Sequence, residues 1–334
     1  MGARLELADA YLHTPGSDPT WSESRYVDFY DATARVGGWL RLGMRPNEGH
    51  AEVSACVYLP DGRVAFAFTR APIGANGLAA GGQEWSVGEP YVAGRVRVAG
   101  EALLLDDPWL LTDPRRAYAQ CPRIECELDL VTSTQGLAAV MGSDQEHIEK
   151  IFLPGQADFH YQHLAHITGT VRVGDMMWQL DGRGGKDHSW GPRNWQAKIY
   201  MRWLICSLDD DTGFMLLRAV GPTRSTRSGH VWVGGEFAVV DDFEMHNAYA
   251  GAPHHELRSV SVRIFAAGRE WSASGQPAAW LPARHRRTAA DGVESILRIV
   301  KSPTMWTWPD GRVGVGHCEY HDLLQAGVPV GLAD

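Results

Sequence analysis

A succession of short apolar or alternating runs, each closed by turn residues, restricts this chain to a fold built from many brief strands. Such runs recur at Gly38–Arg45, His50–Tyr58, Arg63–Thr69, Tyr91–Val98, Ala102–Leu105 and Ile124–Leu130. A second series follows at Ile167–Val173, Met176–Leu180, Lys198–Cys206, Gly213–Val220, Val231–Val240, Leu257–Ala266, Glu270–Ala273, Ser295–Val300 and Val313–Tyr320. Their lengths and their bounding Gly, Pro, Asn and Asp residues suit strands. Pro60-Asp61-Gly62 lies between two of them and predicts a hairpin, because Asp and Gly accept turn dihedrals that branched residues resist. Sustained helical periodicity is nearly absent. The one helix candidate is Ser143–Ile151, with Ser143 as cap and Glu146 at the capping-box position.

The length of 334 residues suggests two domains. Gly136, Gly142, Pro154 and Gly155 interrupt the strand pattern and place the junction within 135–160, giving units at 1–150 and 151–334. The expected class is all-β: two antiparallel barrels packed together, with few short helices. Closing a sheet on itself removes exposed edges and leaves an interior that can hold one small ligand.

A net charge of −9 gives no electrostatic footprint for nucleic acid. No run approaches the about 18 apolar residues of a membrane span, and Met1–Tyr11 lacks a basic-then-apolar signal pattern, so a cytoplasmic location is expected. Cys56, Cys121, Cys126, Cys206 and Cys318 are scattered and odd in number, which suits reduced core thiols. The spacing of Cys121 and Cys126 does not match a zinc knuckle. There is no nucleophile elbow, phosphate loop or dinucleotide fingerprint, and no cofactor is expected.

The densest chemical segment runs from Gly182 to Trp195 and reads Gly-Arg-Gly-Gly-Lys-Asp-His-Ser-Trp-Gly-Pro-Arg-Asn-Trp. It is expected to lie between two strands. Asp187 and His188 can exchange or orient protons, Arg193 can fix a carboxylate or hold Asp187 ionised, and Trp190 and Trp195 can exclude water. The alternative for Asp187 is a structural tie to backbone amides or to Arg193. Both indoles can equally be core wedges.

Asp187-His188-Ser189-Trp190-Gly191 resembles the Asp-His-x-Trp-Gly motif of the carotenoid 1,2-hydratase and AttH-like superfamily, whose members have two lipocalin-like (calycin) domains. The runs Glu23–Asp31, Arg41–Gly49 and Gly314–Tyr320 are similar to a bacterial branch of the same group. The resemblance implies cofactor-independent acid/base chemistry on a small apolar terpenoid-, steroid- or polyketide-like molecule, of the hydratase, lyase, isomerase or cyclase kind. It implies Asp187 as the acid, with His188 and Trp190 shaping the site. Where the carotenoid members carry Tyr or Trp two residues before the Asp, this chain has Gly185.

Other candidates surround this motif. His160, His163 and His166 recur at intervals of three, but in a strand only His160 and His166 share a face, which argues against a metal site; His163 or His160 is read instead as lining the pocket, because this stretch leads into the strand before the central motif. No metal is expected. Glu319, in the terminal run, is a candidate catalytic acid or a salt-bridge partner, while Glu236 and Tyr320 are candidate substrate contacts. Glu23, Ser24, Tyr26 and Asp28 read as a polar network closing the first barrel. Two other readings stay open: a non-catalytic lipocalin-like carrier for a hydrophobic ligand, and a scaffold whose interior is filled by aromatics.

Overall fold

A computed structural model describes residues 5–75, 77–135, 153–155, 157–288 and 292–334, with Gln196 described for its backbone alone. The chain divides into two compact units, and residues 157–193 cluster with the first while 194–334 belong to the second.

The first unit is one antiparallel sheet of ten strands. They are β1 (Trp21–Asp31), β2 (Val36–Arg45), β3 (His50–Tyr58), β4 (Val64–Ala71), β5 (Ala79–Ala80), β6 (Gln83–Val87), β7 (Ala93–Leu105), β8 (Arg123–Thr134), β9 (Phe159–Val173) and β10 (Met176–Pro192). Between β7 and β8 lies one short helix, α1 (Pro114–Gln120), capped by the Asp113 side chain on the Arg116 amide. The sheet order β4-β3-β2-β1-β10-β9-β8-β7 is closed by a ladder of β4 with β7, Val64 to Leu105 through Phe66 to Leu103, so eight strands form a ring. Val27, Phe29, Leu40, Leu42, Ile167 and Val171 are among the side chains filling its interior. Each such buried side chain contributes about 1.5–3 kcal/mol.

The second unit is an eleven-stranded antiparallel sheet. Its strands are β11 (Tyr200–Ser207), β12 (Gly213–Val220), β13 (Ser225–Val233), β14 (Glu236–Val239), β15 (Asp242–Tyr249), β16 (Leu257–Ala266), β17 (Arg269–Pro277), β18 (Leu281–Thr288), β19 (Glu294–Thr307), β20 (Val313–Gln325) and β21 (Val328–Pro329). Its ladder order is β14-β13-β12-β11-β20-β19-β17-β16-β15. The Val240 amide donates to Gly229 O of β13 and the Asp241 amide to Phe265 O of β16, which draws the two ends of this order together. Leu204, Phe214, Val231, Ile264 and Trp306 belong to its core.

The all-β expectation holds, with differences in the elements. The hairpin at Pro60–Gly62 joins β3 to β4 in register, Tyr58 opposite Val64. Tyr91–Val98 and Ala102–Leu105 fuse into the single strand β7, because Ala99–Glu101 stay in the ladder opposite Glu125–Glu127. Val231–Val240 splits into β13 and β14, since Gly234 and Gly235 take φ of 61° and 80° and turn the chain back. The expected division at residue 150 is displaced: β9 and β10 pair into the first sheet, so the Asp-His-x-Trp-Gly motif belongs to the first unit. That motif is also not an inter-strand loop but the second half of β10. The glycines just ahead of it are there for close approach: a Cβ on Gly184 would lie 2.1 Å from the carbonyl oxygen of Asp28 on the neighbouring β1. The helix candidate Ser143–Ile151 lies outside the described residues. Among the described residues no helix is long and apolar enough to cross a membrane, and all five cysteines are free.

Candidate functional site

Strand alternation sorts the motif onto two faces. In β1, Val27 and Phe29 point into the first core, so Glu23 and Arg25 share that direction. The ladders place Arg25 opposite His188, His188 opposite Tyr161, Val27 opposite Lys186, and Lys186 opposite His163. Glu23, Arg25, Tyr161, His163, Lys186, His188 and Trp190 therefore line the ring interior near one end. Asp187 and Ser189 point the opposite way, beside Tyr26 and Ser24 of β1.

The interior group is held together by hydrogen bonds. Glu23 Oε1 accepts from His188 Nε2 at 2.8 Å and from His13 Nδ1 at 3.0 Å, and Glu23 Oε2 accepts the His13 amide at 3.0 Å. His188 Nδ1 lies 3.2 Å from the Tyr161 hydroxyl and 3.1 Å from the carbonyl oxygen of Asp9. Arg25 hydrogen-bonds Tyr161 and donates to Ala10 O at 2.7 Å. His13 Nε2 reaches Asp9 Oδ1 at 3.3 Å. Trp190 is sandwiched between His13, at 3.8 Å between ring centroids, and Phe159, at 5.4 Å. The segment before β1, including the 3-10 turn Leu7–Ala10, thus supplies backbone acceptors and one imidazole to the site.

These contacts set the charge states. Burial alone would raise the Glu23 carboxyl, but the hydrogen bonds from His13 and His188 outweigh it and hold it down at about 2. Burial, with the Arg25 cation nearby, lowers His188 to about 4 against the upward pull of Glu23. His188 is thus neutral at pH 7: Nε2–H donates to Glu23, and Nδ1 is free to accept the Tyr161 proton. For His13 the Glu23 and Asp9 carboxylates overcome the lowering by burial, and its value rises. Burial pushes the Tyr161 phenol up to about 12 despite Arg25. Burial and then Arg25 lower Lys186 to about 8.

His13, Glu23 and His188 also offer three ligand atoms within 4.8 Å of one another, the arrangement among the described residues that can hold a metal ion. In this structure the three groups are engaged with each other by hydrogen bonds.

The residues singled out from sequence fall into separate places. His188, Trp190 and His163 lie together in the interior; Asp187 does not join them. Arg193 donates to Ser189 Oγ at 2.9 Å and so lies on the face of Asp187. Trp195 belongs to the second unit, its ring 5.7 Å from that of His285. Glu319 is also in the second unit, buried on the outward face of β20, where it pairs with Lys301 and accepts from His321 Nε2 at 2.5 Å. Tyr320, its neighbour, points to the opposite face and donates to Asn247 Oδ1 at 2.6 Å within the second core. Glu236 is exposed and pairs with Arg269 at 3.1 Å. Glu319, Tyr320 and Glu236 thus belong to three different surroundings. His160 and His166 share a face, as alternation requires, and His166 pairs with Asp181 there.

Sequence reasoning placed Glu23 in a closing network, gave Tyr161 and Lys186 no role of their own and passed over His13. The signal for Glu23 and Arg25 was their alternation with Val27 and Phe29, which puts charged groups in phase with core residues.

The chain was compared with known proteins. Residues 6–324 match a family described as a domain of unknown function, DUF7064. No curated protein matches the sequence. Among solved structures, a putative AttH from Nitrosomonas europaea is 13% identical with a TM-score of 0.60, over 92% of this chain and 94% of that one. CghA, solved with Sch210972, is 12% identical with a TM-score of 0.55, over 93% of each chain. Kievitone hydratase from Nectria haematococca is 10% identical with a TM-score of 0.54, over 99% of this chain and 94% of that one. At such identities these likenesses concern the fold, which is that of the AttH-like lipocalin-type proteins. The chain belongs to the DUF7064 family.

Proposed function

We propose that this protein is a cofactor-independent lyase or isomerase, hydratase- or cyclase-like, that moves protons on a small apolar molecule in the first ring. The observation that carries this reading is the hydrogen-bonded series Arg25, Tyr161, His188, Glu23. Tyr161 is the group that meets the reacting atom and donates its proton as the acid. Arg25 stabilises the phenolate that develops, since a cation beside a desolvated anion acts at low dielectric. In the return step the neutral His188 takes up at Nδ1 the proton that the reacting molecule, or the water added to it, gives up, and passes it to the Tyr161 phenolate, which restores the phenol. The imidazolium so formed is stabilised by Glu23 at Nε2, with Asp9 O available to accept the new Nδ1–H. Phe159 and Trp190 keep water from the series. That the same fold occurs in a hydratase from Nectria haematococca supports this class of reaction.

The acid role implied for Asp187 passes to Tyr161 in this reading, because Asp187 points away from the interior. Incubation with apolar metabolite extracts in D2O, followed by untargeted mass spectrometry, tests both. Tyr161→Phe and His188→Gln abolish deuterium uptake or the water-sized mass change, while Asp187→Asn retains it. The opposite pattern would return the acid role to Asp187.

A carrier is the second reading. A cavity of about 300 Å³ opens in the first unit between β4 and β6–β7, lined by Val53, Ala55, Phe66, Val98, Leu103 and Tyr118 among others. A compound retained there and recovered unchanged from both wild type and Tyr161→Phe favours it.

A further inference from the structure

We infer that the first ring binds a carboxylate, held between Lys186 and Arg25, and that the molecule it acts on is an apolar carboxylic acid. This deepens the reading above and rests on it for the identity of the reacting molecule; the anion site itself stands on the following observations alone.

Lys186 and Arg25 both line a small cavity of about 10 Å³, room for about one water molecule or one carboxylate oxygen. No carboxylate among the described residues lies within salt-bridge distance of either cation; the polar contact of Lys186 Nζ is Thr132 Oγ1 at 3.4 Å. Glu23, on the same face of β1 as Arg25, is already taken up by His13 and His188. Arg25, which is buried, has Ala10 O and Tyr161 as partners, and the half-buried Lys186 has Thr132, but neither has a carboxylate in contact, and a cation held in an interior without a paired anion is costly.

A second observation points the same way. His163 faces Lys186 across the β9–β10 ladder, is 1% exposed, and has neither ring nitrogen hydrogen-bonded. Buried polar atoms of this kind are rare and mark the position of a missing partner. Arg25 Nε is unsatisfied as well. Gly94 leaves the space above the ammonium open: a Cβ there would lie 3.2 Å from Lys186 Nζ. The remaining wall sets Leu78, Trp85 and Val96 beside Ser86, Thr132 and Arg95, the last already paired with Asp129, so an acid head bound between the two cations would have apolar surface on one side.

The test is calorimetric titration of the full chain with decanoate, decanol, acetate and chloride, for wild type, Lys186→Met and Lys186→Arg, each checked for folding by circular dichroism. Wild type and Lys186→Arg prefer decanoate over decanol by about tenfold or more, and Lys186→Met loses that preference while still binding decanol. Equal binding of acid and alcohol by wild type, or an undiminished preference in folded Lys186→Met, overturns the site. Acetate or chloride binding as tightly as decanoate identifies a free small anion and overturns the apolar-acid class. Tyr161→Phe enters the same titration: loss of turnover with retained preference upholds both readings, and retained turnover sinks the proton relay while leaving the anion site intact.

Discussion

Replacing His188 by Gln removes the buried imidazole that the site keeps uncharged, and its clearest signature is the pH dependence of stability. An ordinary imidazole takes up its proton near 6.5, whereas His188 in the folded chain does so at about 4. Between these values the unfolded chain binds a proton that the folded chain refuses, so the folded state loses stability as pH falls through this window. The whole difference is worth about 3 kcal/mol, of which about 2 kcal/mol falls between pH 7 and pH 5. Urea denaturation of wild type and His188→Gln at these two pH values, followed by tryptophan fluorescence, gives the comparison. The variant, although less stable at pH 7 for want of its bond to Glu23, should lose about 2 kcal/mol less than wild type on going to pH 5. Equal losses in the two proteins would refute the claim that His188 is held neutral.

Two further outcomes concern the acids outside the first ring. Glu319→Gln should destabilise the protein by about 3–5 kcal/mol in urea denaturation, because it leaves the buried Lys301 ammonium without its partner. Glu236→Ala should change the same measurement by less than about 0.5 kcal/mol, since its pair with Arg269 is solvent-exposed.

The strands were legible because their period of two and their turn residues are local. Gly213–Val220 and Leu257–Ala266 coincide with β12 and β16 to the residue. The glycine-rich first half of the central motif was misread as loop because the reason for its glycines is not local: β1 passes so close at Gly184 that no side chain fits. The same non-locality hid the site. Asp187 and His188 are adjacent in sequence and were read together, yet adjacency within a strand sends side chains to opposite faces, and the motif's position inside β10 became visible only in the fold. His13 comes from an irregular segment with no periodicity to follow. Its place beside Glu23 depends on how that segment crosses the end of the ring.

That crossing makes the first part of the chain a working piece of the interior. Ala10 lends its carbonyl oxygen to Arg25, the carbonyl oxygen of Asp9 stands 3.1 Å from His188 Nδ1, and His13 closes the remaining side of the Glu23 carboxylate. A chain shortened to start at Trp21 keeps every strand of the ring and still loses these three partners together. For the preparation of folded protein, the residues ahead of β1 cannot be trimmed, and the opposite terminus is engaged as well, since the Asp334 carboxylate pairs with Arg218 and its backbone oxygen accepts from Asn247 at 2.6 Å.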